Sequence, residues 1–284
     1  MVSGVDEVLD ELLRGAISAP VALVRVLVRH PDLPEVEAVL AARPDGTALR
    51  VLLSGHRPAC ERICSIVRRG IDPPLSGDQD PVAATRDFFD GLARTAPVSS
   101  VALYALEDRA LLDRATEEIV ALLDAWNLLG PDRRVLDLGC GMGRVARALH
   151  SRVESVLAID LSPEMVARAR EACAGLPSVT VALGSGRDLG GVPDRSLDGV
   201  FSVDAFPYLR RAGEALVRTH LAEIARVLIP GGLLAILNAS YRADPALDAR
   251  ELAAWGAPVG LALEIAGAAP FRLWDGRAFR LRRA

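Results

Sequence analysis

Val135-Leu136-Asp137-Leu138-Gly139-Cys140-Gly141-Met142-Gly143 is the stretch that decides how this chain folds. Its first residues predict a short apolar strand with an acidic residue near the tip, and its glycines at alternate positions predict a sharp turn. Arg144-Val145-Ala146-Arg147-Ala148-Leu149 follows at once with the pattern of a helix. A glycine turn between strand and helix lets backbone approach a ligand closely, with N–H groups facing an anionic part of it. A second apolar run, Val156-Leu157-Ala158-Ile159, then ends in Asp160. A carboxylate at the tip of the second strand is where a doubly wound sheet holds ribose hydroxyls. The combination implies a ligand that contains a nucleoside.

Working outward, the chain alternates strand-like and helix-like segments, as a parallel sheet with helical crossovers does. The strands are expected at 134–138, 155–159, 179–183, 197–203 and 233–238, with two final runs at 259–265 and 279–282. Ser162-Pro163-Glu164 is a good helix start, Pro230-Gly231-Gly232 a turn, and Trp274-Asp275-Gly276 a hairpin between the last two strands. Toward the N-terminus, Val5, Val8, Leu9, Leu12 and Leu13 fall at helical spacing, and prolines punctuate further helical segments up to Arg69. Residues 70–81, rich in Pro, Gly and Asp, read as a linker or ordered loop. The expected division is therefore an N-terminal helical region, 1–80, and an α/β domain, 81–284.

The chain has 284 residues, 51% hydrophobic and 25% charged, a globular composition. A net charge of −4 argues against a dominant nucleic-acid-binding role. All 33 basic residues are arginine, so no lysine Schiff base, lysine base or P-loop lysine can be used. No apolar run has the length of a membrane span, and Asp6, Glu7, Asp10 and Glu11 carry the wrong sign for a signal peptide. The expectation is a soluble, cytoplasmic protein. Cys60 and Cys64 stand four apart without a second ligand pair, so buried thiols are favoured over a metal site, and no metal is expected.

A glycine turn alone is shared by many folds. The dinucleotide fingerprint needs a glycine at position 144, where this chain has Arg144. Gly139-x-Gly141-x-Gly143 after Asp137 instead resembles the first motif of class I S-adenosylmethionine-dependent methyltransferases. Asp160-Leu161-Ser162-Pro163-Glu164-Met165 resembles the family's second motif, and Gly186-Arg187-Asp188-Leu189 lies where its third would be. Ser196-Leu197-Asp198-Gly199-Val200 and Val227-Leu228-Ile229-Pro230-Gly231-Gly232 complete the order. The resemblance covers roughly residues 134–284. It implies a doubly wound, mostly parallel seven-stranded sheet with an antiparallel last strand, and S-adenosylmethionine as cofactor. Carried over residue by residue, it implies cofactor contacts from Asp137, Gly139, Cys140, Gly141, Gly143, Asp160, Leu161, Arg187, Asp188 and Ser202. Backbone N–H groups of the turn would meet the methionine carboxylate, and Asp137 its ammonium. Asp160 would meet the ribose, Leu161 an adenine face, and Asp188 the adenine amino group. Helix capping is the competing role for Asp137 and Asp160.

Methyl transfer asks a protein chiefly to align a nucleophile and exclude water, with a base only where a proton must leave. The acceptor side is expected at the tips of the fourth and fifth strands. Asp204 and Tyr208 follow the fourth strand, and Asn238, Ser240 and Tyr241 end the fifth. Asp204, Tyr208, Asn238 and Tyr241 are therefore acceptor-side candidates, against loop, turn and core roles for the same residues. Tyr104 is a candidate lid residue, with core packing favoured over it. His220, mid-helix among apolar residues, reads as a core histidine. A small-molecule acceptor is expected, without nucleic acid or membrane partners, and a homodimer is left open. Two alternatives stand beside methyl transfer. The first is use of the same cofactor for 3-amino-3-carboxypropyl transfer or cyclisation. The second is a non-catalytic partner subunit, against which the intact glycine turn and acidic residues count.

Overall fold

The computed structural model describes residues 4–73, 79–99 and 101–284, which fall into two compact units. One comprises Met1–Pro74, Gly91–Ala115 and Phe271–Asp275, the other Leu75–Asp90, Thr116–Pro270 and Gly276–Ala284. Of the expected linker, residues 74–78 lie outside the described residues.

The first unit holds α1 (Val5–Leu13), α2 (Ala19–Arg29), α3 (Leu33–Ala41), α4 (Thr47–Gly55) and α5 (Arg57–Arg69). Ser18 caps α2 by accepting from the Val21 N–H, Asp32 caps α3 by accepting from Glu35, and proline opens α2, α3 and α5. The apolar stripe of α2 buries Leu23, Val26 and Leu27, and that of α5 buries Cys60, Ile63 and Cys64. Burial pushes the Cys60 thiol up to about 11 and raises Cys64 too, so both pack as neutral apolar groups. Trp274 belongs to this unit and stacks on Tyr104, ring centroids 6.2 Å apart, while Asp275 accepts from Arg25. No helix among the described residues is long and apolar enough to cross a membrane.

The division between the units falls within α6 (Pro81–Thr95) and α7 (Arg109–Ala125). The second unit continues through β1 (Gly130–Leu138), α8 (Arg144–Leu149), β2 (Val153–Asp160), α9 (Pro163–Ala172) and β3 (Val179–Leu183). It then runs through β4 (Leu197–Val203), α10 (Phe206–Ala212), α11 (Glu214–Val227) and β5 (Leu228–Leu237). The last elements are α12 (Pro245–Gly256), β6 (Leu261–Ala268) and β7 (Ala278–Arg283). The seven strands lie in the order β3-β2-β1-β4-β5-β7-β6. The first five pair in parallel, and β7 runs antiparallel to both β5 and β6. This is the doubly wound sheet the motifs imply. Val135 to Leu138 are all buried, as a central parallel strand covered on both faces requires. On one face Leu136, Val200, Leu234 and Ile236 pack with Phe206 of α10, Leu221 and Ile224 of α11, and Trp255 of α12.

Some local differences from the sequence expectation have clear physical causes. β5 begins at Leu228 rather than 233, because Pro230-Gly231-Gly232 forms a bulge within the strand. Leu197 pairs with Leu228, yet Gly199 pairs with Leu233, and Gly231 takes a left-handed φ of 78°. β6 begins at Leu261 because a short 3-10 turn ends at Gly260, φ 79°. Residues 206–212, given no element from the sequence, form α10 with Pro207 in the first turn.

Candidate active site

Strand order makes the site. The direction of chain crossing reverses between β1 and β4, and the carboxyl ends of strands around such a switch point are where a doubly wound sheet binds ligands. Asp137 pairs with Ala158 across β1 and β2, so strand alternation puts Asp137 and Asp160 on the same face of the sheet.

Asp137 is 2% exposed, and one of its carboxylate oxygens has no hydrogen-bond partner. Burial raises its pKa to about 7, with Asp160 adding to the rise and Arg144 and the Ala146 N–H opposing it. A buried carboxylate with an open oxygen is a costly arrangement that an incoming cation relieves. Asp160, also buried and raised by that burial, accepts from the Gly141 N–H at 2.8 Å and the Ser162 N–H at 2.9 Å. With the Leu161 N–H also directed at it, the carboxylate still has acceptor capacity left for a hydroxyl.

The turn between them is held by its own backbone. Gly139 and Cys140 both donate to the Ile159 carbonyl, at 2.8 and 3.0 Å, and Gly143 donates to Cys140 at 2.9 Å. The N–H groups of Gly139, Cys140, Gly141 and Gly143 thus shape the turn, where the motif implied contacts to a ligand. Shape is what the glycines contribute: φ is 78° at Gly139, 52° at Gly141 and 76° at Gly143. A Cβ on Gly139 would lie 2.3 Å from the Ala205 Cβ, and one on Gly143 would crowd Ala169 and Cys173. The Cys140 thiol is buried and raised well above its usual value by that burial.

Beyond β3, Ser185 to Gly190 make a loop tied to itself. Asp188 accepts from the Ser185 hydroxyl at 2.9 Å and the Gly190 N–H at 3.1 Å, which holds its carboxyl below the usual range. Leu161 would lie 3.3 Å from a Cβ on Gly186. Arg187 pairs with Asp80. Ser202 is fully buried with its hydroxyl unpartnered. Because Phe201 is the residue paired with Asp137, Ser202 faces the opposite side of the sheet, alongside Ile236.

At the tips of β4 and β5 a second cluster forms from side chains. Asp204 accepts from Asn238 Nδ2 at 2.7 Å and from the Tyr241 hydroxyl at 3.1 Å, and the Tyr241 and Tyr208 hydroxyls are 3.3 Å apart. Asp204 and Asn238 both take left-handed backbone, φ 60° and 76°, which strands rarely end in without glycine. Tyr241 as a residue is 54% exposed. Its hydroxyl end is desolvated, and with Asp204 and Tyr208 beside it the phenol pKa is pushed well above its usual value. All four acceptor-side candidates therefore meet. Ser240 turns away and donates to Asp248. Tyr104 is buried in the helical unit, and His220 is a core histidine whose ring Nδ1 lies 2.9 Å from the Leu216 carbonyl.

A methyltransferase-domain family model matches residues 136–236. Over 112 residues the chain is 36% identical to an uncharacterized methyltransferase of Mycobacterium tuberculosis, covering 39% of this chain and 42% of that protein. Over 107 residues it is 36% identical to the demethylmenaquinone methyltransferase of Tropheryma whipplei, covering 38% of this chain and 42% of that one. The chain thus spans less than half the length of these relatives. Magnesium protoporphyrin IX methyltransferase from Synechocystis, solved with S-adenosylmethionine bound, shares the fold. Its TM-score is 0.54 at 22% identity, over 74% of this chain and 100% of that one. Residues 136–236 thus match a methyltransferase domain, and the sheet that contains them has the fold of an S-adenosylmethionine-dependent methyltransferase.

Within the methyltransferase domain, one contributor escaped the sequence reading. The part of α6 up to Asp90 reaches three of the strand tips. Asp90 accepts from the Ser162 hydroxyl and the Glu164 N–H, Phe89 packs edge-on to Tyr208 with centroids 4.8 Å apart, and Val82 abuts Gly186. Asp90 lies 72 residues from Ser162, and no local pattern signals that contact. The acid of the Ser196–Val200 motif, Asp198, works at the other end of the sheet, accepting from the Arg134 N–H at 2.9 Å.

Proposed function

We propose that this protein transfers a methyl group from S-adenosylmethionine to a small-molecule acceptor. The observation that carries the proposal is the buried, half-partnered Asp137 carboxylate, set beside a left-handed glycine turn and within electrostatic reach of Asp160. An ammonium supplies what Asp137 lacks, a ribose diol fits the remaining lone pairs of Asp160, and the absence of side chains at Gly139 and Gly143 leaves the wall close and smooth. Leu161 offers an apolar face to adenine, and the loop holding Arg187 and Asp188 offers polar groups to its edge. Asp204, Tyr208, Asn238 and Tyr241 form the acceptor side. Ser202, on the other face of the sheet, is left out of this assignment.

S-adenosylmethionine brings a methyl group already activated by its sulfonium, so this chain's residues have to bind, orient and exclude water. Asp137 and Asp160 fix the two ends of the cofactor's polar frame. The cluster at β4 and β5 then fixes where an acceptor atom can sit. Residues 81–284 are read as the catalytic domain and residues 1–80 as an accessory helical region. The protein's location is taken as cytoplasmic.

Product analysis tests the proposal. Incubation of the full chain with S-adenosylmethionine and acceptor mixtures should yield S-adenosylhomocysteine. Methylthioadenosine instead would mean aminocarboxypropyl transfer or cyclisation. Cofactor binding without any product would favour a partner subunit.

A further inference from the structure

Building on the methyltransferase assignment, we infer that the acceptor is an aromatic compound methylated through an ionisable hydroxyl, whose proton leaves along Tyr208 and Tyr241 to Asp204. The three groups are in series: the Tyr208 hydroxyl is 3.3 Å from that of Tyr241, which is 3.1 Å from Asp204 Oδ1. A carboxylate only accepts, so Tyr241 donates to Asp204 and is left to accept from Tyr208. This order gives the chain a direction, from the Tyr208 end toward the carboxylate.

Two features set the acceptor class. Oδ1 of Asp204 is already spanned by Asn238 and Tyr241, so a ligand approaching from the tyrosine side meets hydroxyls, which exchange hydrogen bonds with another hydroxyl. An ammonium, which only donates, would gain more from a bare carboxylate. The approach is also walled by rings: Phe89 against Tyr208 at 88° and Tyr208 against Tyr241 at 75°, edge to face, an arrangement that a further aromatic ring extends. Burial and the neighbouring Asp204 keep Tyr241 protonated, so it passes a proton on and does not act as a tyrosinate base.

In the transfer, a lone pair of the acceptor oxygen bonds the methyl carbon while the electron pair of the methyl–sulfur bond stays on sulfur. The hydroxyl proton moves to Tyr208 oxygen, that of Tyr208 to Tyr241, and that of Tyr241 to Asp204, which returns it to water after product leaves. No oxidant or further reactant is needed. Asn238 is the positioning residue: its amide donates to Oδ1 at 2.7 Å from a left-handed backbone, φ 76°.

The test uses the full chain and matched aromatic acceptors, phenols and anilines on the same ring skeletons. S-adenosylhomocysteine release is measured beside calorimetric binding of that product, together with binding of 4-nitrophenol followed by its absorbance. Phenols should turn over and anilines should not. Asp204→Asn should lower kcat roughly 100-fold, and Tyr241→Phe should lower kcat more than it raises KM. Bound 4-nitrophenol should stay neutral to higher pH than free 4-nitrophenol, and Asp204→Asn should reduce that shift. Intact cofactor binding with anilines alone accepted, with no phenol accepted, or with an unchanged Asp204→Asn rate would overturn this inference only. Failure of the wild-type chain to bind S-adenosylhomocysteine would overturn the methyltransferase assignment and this inference with it.

Discussion

The β1–β2 tips and the β4–β5 tips of the same sheet solve different problems by different means. At β1–β2 the geometry is made by backbone, with glycines in left-handed turns and N–H groups spent on Ile159 and Asp160. Among the described residues, the buried side-chain atom left without a partner there is a carboxylate oxygen of Asp137. At β4–β5 the geometry is made by side chains, and the left-handed positions are occupied by Asp204 and Asn238 with no glycine to ease them. The first region suits a ligand whose shape never changes. The second can be rewritten one side chain at a time, as an acceptor site has to be if one fold is to serve many substrates.

The substitution with the largest expected effect strikes both regions. Gly139→Val puts a branched side chain at φ 78° and within 2.3 Å of Ala205, the residue next to Asp204. It should abolish S-adenosylhomocysteine binding in calorimetry and lower Tm, since a non-glycine residue held there costs about 1–3 kcal/mol before any clash. If binding and Tm both survive, the turn is not tight.

Asp160→Ala should come next, weakening cofactor binding by about 100-fold, because the same carboxylate also holds the Gly141 and Ser162 N–H groups. On the other side, Asn238→Gly should separate the two regions cleanly. It removes strain at φ 76° and the clamp on Asp204 together. Tm should hold or rise and cofactor affinity should stay unchanged, while turnover falls about tenfold. A parallel loss of cofactor affinity would show that the regions are not separable. The smallest effect is expected from Asp188→Asn. Ser185 and Gly190 both donate to Oδ1, bonds that an amide oxygen can keep, so cofactor affinity should change by less than about threefold.

The contrast also explains what could be read from the sequence. The β1–β2 region was legible because its constraints are local: an apolar strand, glycines at fixed spacing and an acid ending the next strand all lie within a short stretch. The strands at 179–183 and 197–203 were legible for the same reason. The β4–β5 region yielded its residues but not its arrangement, since Asp204 and Asn238 are 34 positions apart and their bond depends on strand pairing. Ser202 shows the limit from another side. The family resemblance implied a cofactor contact for it, while the register turns it to the opposite face. The contacts of Phe89 and Asp90 with Tyr208 and Ser162 had no local signal, and neither did the bulge that lengthens β5.

The central claim is that Asp137 is held ready for a cation, and its raised pKa makes that claim measurable. In the ligand-free protein an acid whose pKa rises to about 7 binds more protons folded than unfolded. It therefore lowers stability as pH climbs from the ordinary carboxylate range through about 7. Ligand binding has the opposite dependence, because the ionised form is the one that meets an ammonium. The direct measurement is calorimetric titration of the full chain with S-adenosylhomocysteine at about pH 6 and about pH 8, for wild type and Asp137→Asn. Binding should be one-to-one and tighter at the higher pH in the wild type. In the variant it should be weaker and nearly independent of pH, with a higher Tm for the ligand-free variant at the alkaline end. Wild-type affinity that is flat across this range, or no binding at all, would contradict the account.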